Sequence, residues 1–400
     1  MNKKEKITVF GMGYVGLPLA VSAGESGFTV IGIDIDSNKI DQLKDGTDDY
    51  FEISRKKLSE LIKSGSFIPT TNLSLASEST IAIVCVPTPL DKFQKPDLQF
   101  LLTAVQSAMH ILQNNGLLII ESTIETGTSR NVILPILEEY GSKSQKNLLL
   151  AYSPERIDPN NRDWDIYNTP KLVAGTSKQA LKQAVIFYSK FVRNIIECKS
   201  LEVAETAKLL ENIFRLVNIS LINEILIFCN KLGIEVLEVI EAASTKPYGF
   251  MPFYPGMGAG GHCIPIDPMY FANKAKEINV ESRLILLANQ INRSMPSYFA
   301  DLAENKLGSL LGKKILVLGV AYKADVPDVR ESPCIELINI LKSKGALVAW
   351  HDELVKEWQG ESSSEITDKY DLAILATPHK NLRLEKLGPT PILHTKRSIQ

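Results

Sequence analysis

Short, nearly continuous apolar runs recur through the first half of the chain. Between them, apolar residues fall three and four positions apart. The runs at 7–10 (ITVF), 28–35 (FTVIGIDI), 80–86 (TIAIVCV), 117–121 and 147–152 predict buried strands, and the intervening spacing predicts helices. Alternating strands and helices of this kind close into a parallel, doubly wound sheet. The pattern then changes. Residues 200–232 carry apolar positions at helical spacing with no Pro or Gly and begin acidic, which predicts one long helix. More helix is expected at 235–244, a Pro/Gly-rich irregular loop at 247–268, and helices at 269–276 and 283–311. Strands at 314–320 (KILVLGV), 346–351 and 371–376, with a helix at 331–344, predict a second, smaller unit of the first kind. The expected architecture is α/β, with two Rossmann-like doubly wound domains joined by a long central helix. The expected boundaries are 1–198, 199–300 and 301–400.

Composition narrows the classes. Of 400 residues, 44% are hydrophobic and 22% charged, with a net charge of −2, so cores can form and no basic excess invites nucleic acid. The longest apolar runs break within a few residues, so no membrane span is expected. The N-terminal segment shows no apolar stretch before its first strand, which reads as lacking a signal peptide. Five scattered cysteines suit a reducing cytoplasm better than a disulfide framework.

Chemistry concentrates at a few places. Gly11, Gly13 and Gly16 form GxGxxG between a strand and a helix, where glycines permit a tight turn and let a pyrophosphate approach the helix N-terminus. Asp34, at the end of the next strand, is placed to accept from a ribose 2′-hydroxyl and to repel a 2′-phosphate, which favours NAD. Cys263 lies in GGHCIPIDP (260–268), a loop able to present a thiolate nucleophile. Cys85, Cys198, Cys229 and Cys334 fall in strand or helix patterns and read as small core residues. His262 has no second Cys/His cluster to complete a zinc site, so it reads as structural and no metal is expected. Lys208 and Asn212 stand at i and i+4 of the long helix, amid apolar neighbours. Glu155 follows a strand end and is a candidate general base. Lys323 and Arg330, with Asp328, follow the first strand of the second domain, where cations suit a diphosphate and a plain polar loop is the alternative.

These residues sit in segments that closely resemble the UDP-glucose/GDP-mannose dehydrogenase family. GMGYVGLPLA, VPTP (86–89), EST (121–123), SPER (153–156), AKLLENIFR, GGHCIPIDP and YKADVPDVRESP occur in family order across nearly the whole chain. The resemblance implies an NAD domain, a central region that pairs two copies, and a UDP-sugar domain. It implies cofactor contacts from Gly11, Gly13, Tyr14, Val15, Gly16, Asp34, Pro87, Thr88 and Thr123. By the same resemblance Cys263 is the nucleophile, and Lys208 and Asn212 stabilise an oxyanion. Asp267 and Thr123 order a water, and Glu155 is the base of thioester hydrolysis. Glu155, Arg156, Lys208, Asn212, Tyr254, Gly260, Lys323 and Arg330 would contact the substrate. The sequence departs from the family pattern in three places. Pro159 replaces a second glutamate, Thr126 replaces a usual Pro, and ILHTKRSIQ lacks an aspartate before its arginine. SPERIDPNN and TKPYGFMPFYPGMGAGGHCIPIDP are similar to the UDP-N-acetylhexosamine branch, especially UDP-N-acetylglucosamine 6-dehydrogenases.

The resemblance implies a four-electron oxidation of C6 to a uronate through a Cys263 thiohemiacetal and thioester, in a homodimer supplying surface polysaccharide precursors. UDP-glucose, UDP-N-acetylmannosamine and UDP-N-acetylgalactosamine remain alternative substrates. A two-electron hydroxyacid dehydrogenase, which needs no cysteine, and a non-catalytic NAD-binding protein are the rival classes.

Overall fold

The computed structural model describes residues 4–46, 53–158, 161, 163–261 and 263–398. His262 and Pro159 lie outside the described residues. The chain divides into two units, residues 1–210 and 211–400.

In the first unit the elements run β1 (Lys6–Phe10), α1 (Gly16–Glu25), β2 (Thr29–Ile33), α2 (Ser37–Asp45), α3 (Arg55–Lys63), β3 (Phe67–Thr70), β4 (Ser79–Val84), α4 (Gln99–Ile111), β5 (Leu112–Ile120), α5 (Leu134–Ser144), β6 (Leu149–Tyr152), β7 (Lys171–Gly175), α6 (Lys178–Tyr188) and β8 (Ile195–Glu197). The strands form one eight-stranded sheet in the order β3-β2-β1-β4-β5-β6-β7-β8. Both faces are covered, as a parallel sheet requires. Along β5, Leu117 and Ile119 enter one core, and Leu118 and Ile120 enter the core on the opposite face. β3, β7 and β8 were not foreseen, and β7 breaks the expected parallel order by pairing antiparallel with β6. The reason is in the connection: the described residues of 153–170 contain no helix, and no helical crossover among them returns the chain to the other sheet edge. The register Tyr152↔Ala174 places Lys171, the first residue of β7, beyond the carboxyl end of β6.

α7 (Leu201–Leu232) is the expected long helix and runs across the division between units. By length and composition alone it is apolar enough to cross a membrane, contrary to the expectation drawn from the short unbroken apolar runs. Its inward side chains belong to protein cores: Leu201 and Ala204 in the first unit, Leu226 and Cys229 in the second.

The second unit continues with α8 (Val236–Ser244), α9 (Asp267–Glu277), α10 (Arg283–Leu307), β9 (Lys314–Leu318), α11 (Cys334–Ser343), β10 (Leu347–His351), β11 (Glu357–Trp358), β12 (Glu361–Ser362), β13 (Leu372–Leu375) and β14 (Ile392–His394). Parallel strands in the order β10-β9-β13-β14 form the smaller sheet, and β11 and β12 pair separately. α10 stops at Leu307 because Gly308 takes a left-handed cap, four residues short of the expected end. α11 begins at Cys334, three residues later than expected, after Glu331 adopts φ +49°.

Asp352, fully buried just after β10, holds the loop that follows β9. Its carboxylate accepts from Val320 N and Ala321 N, from Leu354 N and Val355 N, and from His379 Nε2. Asp325 N donates to His379 Nδ1, which places the ring proton on Nε2. Burial alone would raise the Asp352 carboxyl, but His379 and the backbone donors outweigh it and bring it down to about 2. A depressed carboxyl stabilises the fold above its unfolded value and loses that contribution as pH falls through its folded value. Asp352→Asn should therefore cost about 2–3 kcal/mol near pH 7, with the difference from wild type closing between about pH 4 and pH 2. Denaturant titrations of both proteins across that range check the expectation.

Candidate active site

The glycine loop is built for close approach on one side and open space on the other. A Cβ on Gly16 would stand 1.8 Å from Gly11 O, and one on Gly11, at φ +89°, would stand 2.7 Å from Cys85 O. These two glycines let the loop, α1 and β4 pack together. Gly13 differs: an added Cβ meets nothing within 4 Å. The N-cap of α1, Val15, supplies no side-chain hydrogen bond. Asp34 Oδ2 accepts from Met12 N at 2.8 Å and Oδ1 from Asp36 N at 3.0 Å, which sets the carboxylate against the loop. An unfilled space over Gly13, an uncapped helix start and a half-exposed acid fit a dinucleotide, with Gly13, Tyr14 and Val15 toward its pyrophosphate and Asp34 toward a ribose. Pro87 and Thr88 follow β4, and Thr88 Oγ1 donates to Thr123 O at 2.7 Å, joining the loops after β4 and β5.

At the carboxyl edge of the same sheet lies a buried ionic cluster. Lys171 Nζ stands 3.0 Å from Glu121 Oε2 and 3.4 Å from Glu155 Oε2. Glu155 Oε1 accepts from Arg156 N and Ile157 N, both at 2.6 Å, while Tyr188 donates its hydroxyl to Glu121 Oε1. Arg156 itself donates to Pro170 O at 2.6 Å. Desolvation pushes Glu121 up to about 7 against the opposing pull of Lys171. At Glu155 desolvation is outweighed by Lys171, the two backbone N–H groups and the charge of Lys208, so its carboxyl lies below the usual value. Burial would lower Lys171, but Glu121 and Glu155 together raise it. Cys85 packs against the apolar core, as expected. It is half-buried beside this cluster, and burial together with Glu121 pushes its thiol well up, which rules it out as a second thiolate. Cys198 is likewise half-buried, while Cys229 and Cys334 are buried as expected.

Helix α7 anchors the loop that carries Thr123. Glu205 accepts from Gly127 N at 2.6 Å and Ser129 N at 2.9 Å, and Glu202 pairs with Arg130. Thr126, standing where the family pattern has Pro, contacts Thr206 hydroxyl to hydroxyl at 3.0 Å. Lys208, buried, follows one turn after Glu205.

In the second unit Cys263 occupies a loop walled by glycine. A Cβ on Gly260 would stand 2.8 Å from Glu331 O, and one on Gly261, at φ +80°, 2.8 Å from the Tyr322 ring. Gly261 N donates to Arg330 O at 3.1 Å, and Asn292 brackets Ala259 through both its backbone groups. Cys263 is half-buried, and its carbonyl accepts from Asp267 N at 2.9 Å. Asp267 is not in the irregular loop, where the sequence had put it. It is the first residue of α9, buried, and its carboxylate accepts from the Asn212 amide. The helix starts there because an acid followed by Pro268 suits a first turn. Tyr254 is exposed. Lys323 is half-buried in the loop after β9. Arg330 is held by Asp328, its Nε donating to both carboxylate oxygens at 3.0 Å.

Sequence reading overlooked Lys171, Tyr188, Asp352 and His379, and gave Glu121 no role. Two signals pointed to them: a glutamate closing the apolar run LLII, and an aspartate after β10 in the position Asp34 holds after β2. Nothing in the sequence marked Lys171.

Three family models match in order: the NAD binding domain of the UDP-glucose/GDP-mannose dehydrogenase family over residues 5–192, its central domain over 202–294 and its UDP binding domain over 316–397. Protein CapL of Staphylococcus aureus is 35% identical, covering 95% of this chain and 91% of its own. UDP-N-acetyl-D-glucosamine 6-dehydrogenase of Pseudomonas aeruginosa is 33% identical, covering 96% and 94%. The solved structure of a UDP-D-ManNAc dehydrogenase from Pyrococcus horikoshii superposes with a TM-score of 0.90 at 31% identity, over 99% of this chain and 96% of that one.

The glycine geometry separates packing from binding. Gly13→Ala meets no protein atom, so its melting should stay within about 0.5 kcal/mol of wild type while NAD binding weakens. Gly16→Ala should lose both stability and NAD binding, because the loop must move. Calorimetric titration with NAD beside thermal melts of the two variants checks the split.

Proposed function

Because this chain belongs to the UDP-glucose/GDP-mannose dehydrogenase family, we propose that it oxidises C6 of a UDP-N-acetylhexosamine, by first choice UDP-N-acetylglucosamine, to the carboxylate through a covalent intermediate on Cys263. The observation that carries the reading is a cysteine in a rigid, glycine-walled loop of a chain that also carries the NAD and UDP binding domains. UDP-N-acetylmannosamine is the second reading, favoured by the Pyrococcus relative.

A primary alcohol loses two hydrides on its way to an acid, and NAD supplies the acceptor for each. The remaining work falls to side chains. The Cys263 thiolate attacks the intermediate aldehyde, so the aldehyde is never released, and the tetrahedral oxyanion is met by Lys208 and the Asn212 amide. Such donors are each worth about 3–4 kcal/mol. The bond from Asn212 to Asp267 fixes the orientation of that amide. After the second oxidation the sugar is a thioester of Cys263, and Glu155 takes a proton from the attacking water. Lys323 and Arg330 are assigned to the substrate.

α7 also supports pairing of two copies. Val203, Leu210, Phe214, Leu221, Phe228 and Leu232 are all exposed and fall seven and four residues apart, in one stripe along the helix. Light scattering at micromolar concentration should give twice the 44.3 kDa chain mass, and a monomer would reject the pairing.

The cysteine decides the reaction class. Wild type should yield two NADH per sugar at full conversion. Cys263→Ser should bind NAD and UDP-N-acetylglucosamine nearly as well as wild type, turn over orders of magnitude more slowly and accumulate a sugar ester seen by intact-protein mass spectrometry. Normal turnover by Cys263→Ala would reject the covalent scheme and favour a two-electron dehydrogenase.

A further inference from the structure

Resting on Glu155 as the base of thioester hydrolysis, we propose that Lys171 and Glu121 are positioning residues behind it, and that Lys171 relays to Glu121 the proton Glu155 takes from water. The argument begins with charge. Lys171, Glu121 and Glu155 are almost wholly removed from solvent, with side-chain exposures of 6%, 0% and 12%. With both carboxylates ionised, the trio holds one cation against two anions. A buried group of that composition is one positive charge short, and taking up one proton neutralises it.

The surroundings decide where the extra proton rests. Glu155 is held as a carboxylate by its two backbone donors and faces the charge of Lys208. Glu121 faces Lys171 from β7, the Tyr188 hydroxyl from the end of α6, Glu155 from the loop after β6 and the protonated thiol of Cys85 after β4. No second cation opposes it in that set, and burial has already pushed it up to about 7. Lys171 is the bridge, because its ammonium reaches both carboxylates at once. Glu155 is therefore ionised before the reaction, and a better proton acceptor stands directly behind it.

The step balances. Water oxygen bonds to the acyl carbon, the carbon–sulfur bond breaks, and Cys263 leaves as thiolate with the bonding pair. The water proton passes to Glu155. Lys171 gives one of its protons to Glu121, receives that of Glu155 and remains an ammonium throughout. Glu121 then returns its proton to solvent. The cycle needs no oxidant beyond those of the preceding oxidations.

Rapid mixing of the full-length enzyme with NAD and UDP-N-acetylglucosamine tests the relay. Glu121 must be unprotonated to accept, so wild-type steady-state kcat should rise with pH through about 7, while the initial NADH burst should not. In Glu121→Gln the burst should stay within about twofold and KM should hold, while kcat falls about tenfold or more and the inflection disappears. Intact mass after quenching should show the acyl adduct on Cys263. Lys171→Arg keeps the cation but cannot give up a proton, so its burst should stay within about twofold while kcat falls as in Glu121→Gln and the inflection is lost. A wild-type kcat without the inflection, or Glu121→Gln with wild-type kcat and profile, would overturn the relay, and the first of these does not depend on any variant folding. If wild type forms no NADH and no Cys263 adduct with any UDP-sugar, the functional reading itself fails and takes the relay with it.

Discussion

A lysine ammonium buried with two glutamates imposes a constraint on the first unit that no apolar packing can relax. Removing the lysine leaves two carboxylates in low dielectric without their partner, a change that typically costs about 3–5 kcal/mol. The cluster therefore fixes three chain segments at once: the end of β5 through Glu121, the loop after β6 through Glu155 and the start of β7 through Lys171. Those are the segments that turn at the carboxyl edge of the sheet, where open α/β folds bind their ligands. The antiparallel course of β7 makes this possible. A parallel strand would begin at the opposite edge, and its first residue could not reach Glu155.

The two sheets use the same device for different ends. Each has an aspartate just past a strand, Asp34 after β2 and Asp352 after β10, and each accepts from N–H groups of the loop that follows the neighbouring strand, β1 or β9. Exposure separates them. Asp34 is half-buried and takes only Met12 N and Asp36 N, so lone pairs remain for a hydroxyl. Asp352 is fully buried and saturated by backbone N–H groups and His379. It is a post for the loop bearing Lys323 and Arg330, with nothing left to offer a ligand. His379 extends that post, because its other nitrogen accepts from Asp325 N within the same loop.

Much of this was legible in the sequence, and the reasons differ from place to place. Apolar runs announced β1, β2, β4, β5 and β9 because a strand buried on both faces has no polar alternation to blur it. The length of α7 was legible from the absence of Gly and Pro. β7 was not, since KLVAG opens on a lysine and closes on a glycine, and period alone treats such a strand as loop. Asp267 was placed in a loop because the Pro beside it looked like a break. At the first turn of a helix the same Pro is a start. Cys263 was readable as a candidate nucleophile because its loop is rich in residues that serve only backbone geometry, and Gly260 and Gly261 meet atoms that a Cβ would strike. Lys171 carried no such signal, since its role depends on partners 16 and 50 residues away that only the sheet brings together.

Helix α7 carries both the anchor of a loop and the buried Lys208. Glu202, Glu205 and Thr206 hold the loop of residues 126–130 through an ion pair, two backbone bonds and a hydroxyl pair. Lys208 follows within one turn, so the position of its ammonium along the helix axis is set by the same bonds that set the loop after Thr123. A rigid Pro at 126 would constrain that loop by itself. With Thr there, the chain gives up some backbone rigidity and gains a partner on α7 instead. The loop's geometry thus depends more on the helix than on the loop's own sequence. A shift of α7 by one residue, about 1.5 Å along its axis, would displace Lys208 and break Glu205 from Gly127 and Ser129 together. The fit of the loop and the place of the cation are one constraint, which is why a helix with so much apolar surface keeps a buried glutamate in its second turn.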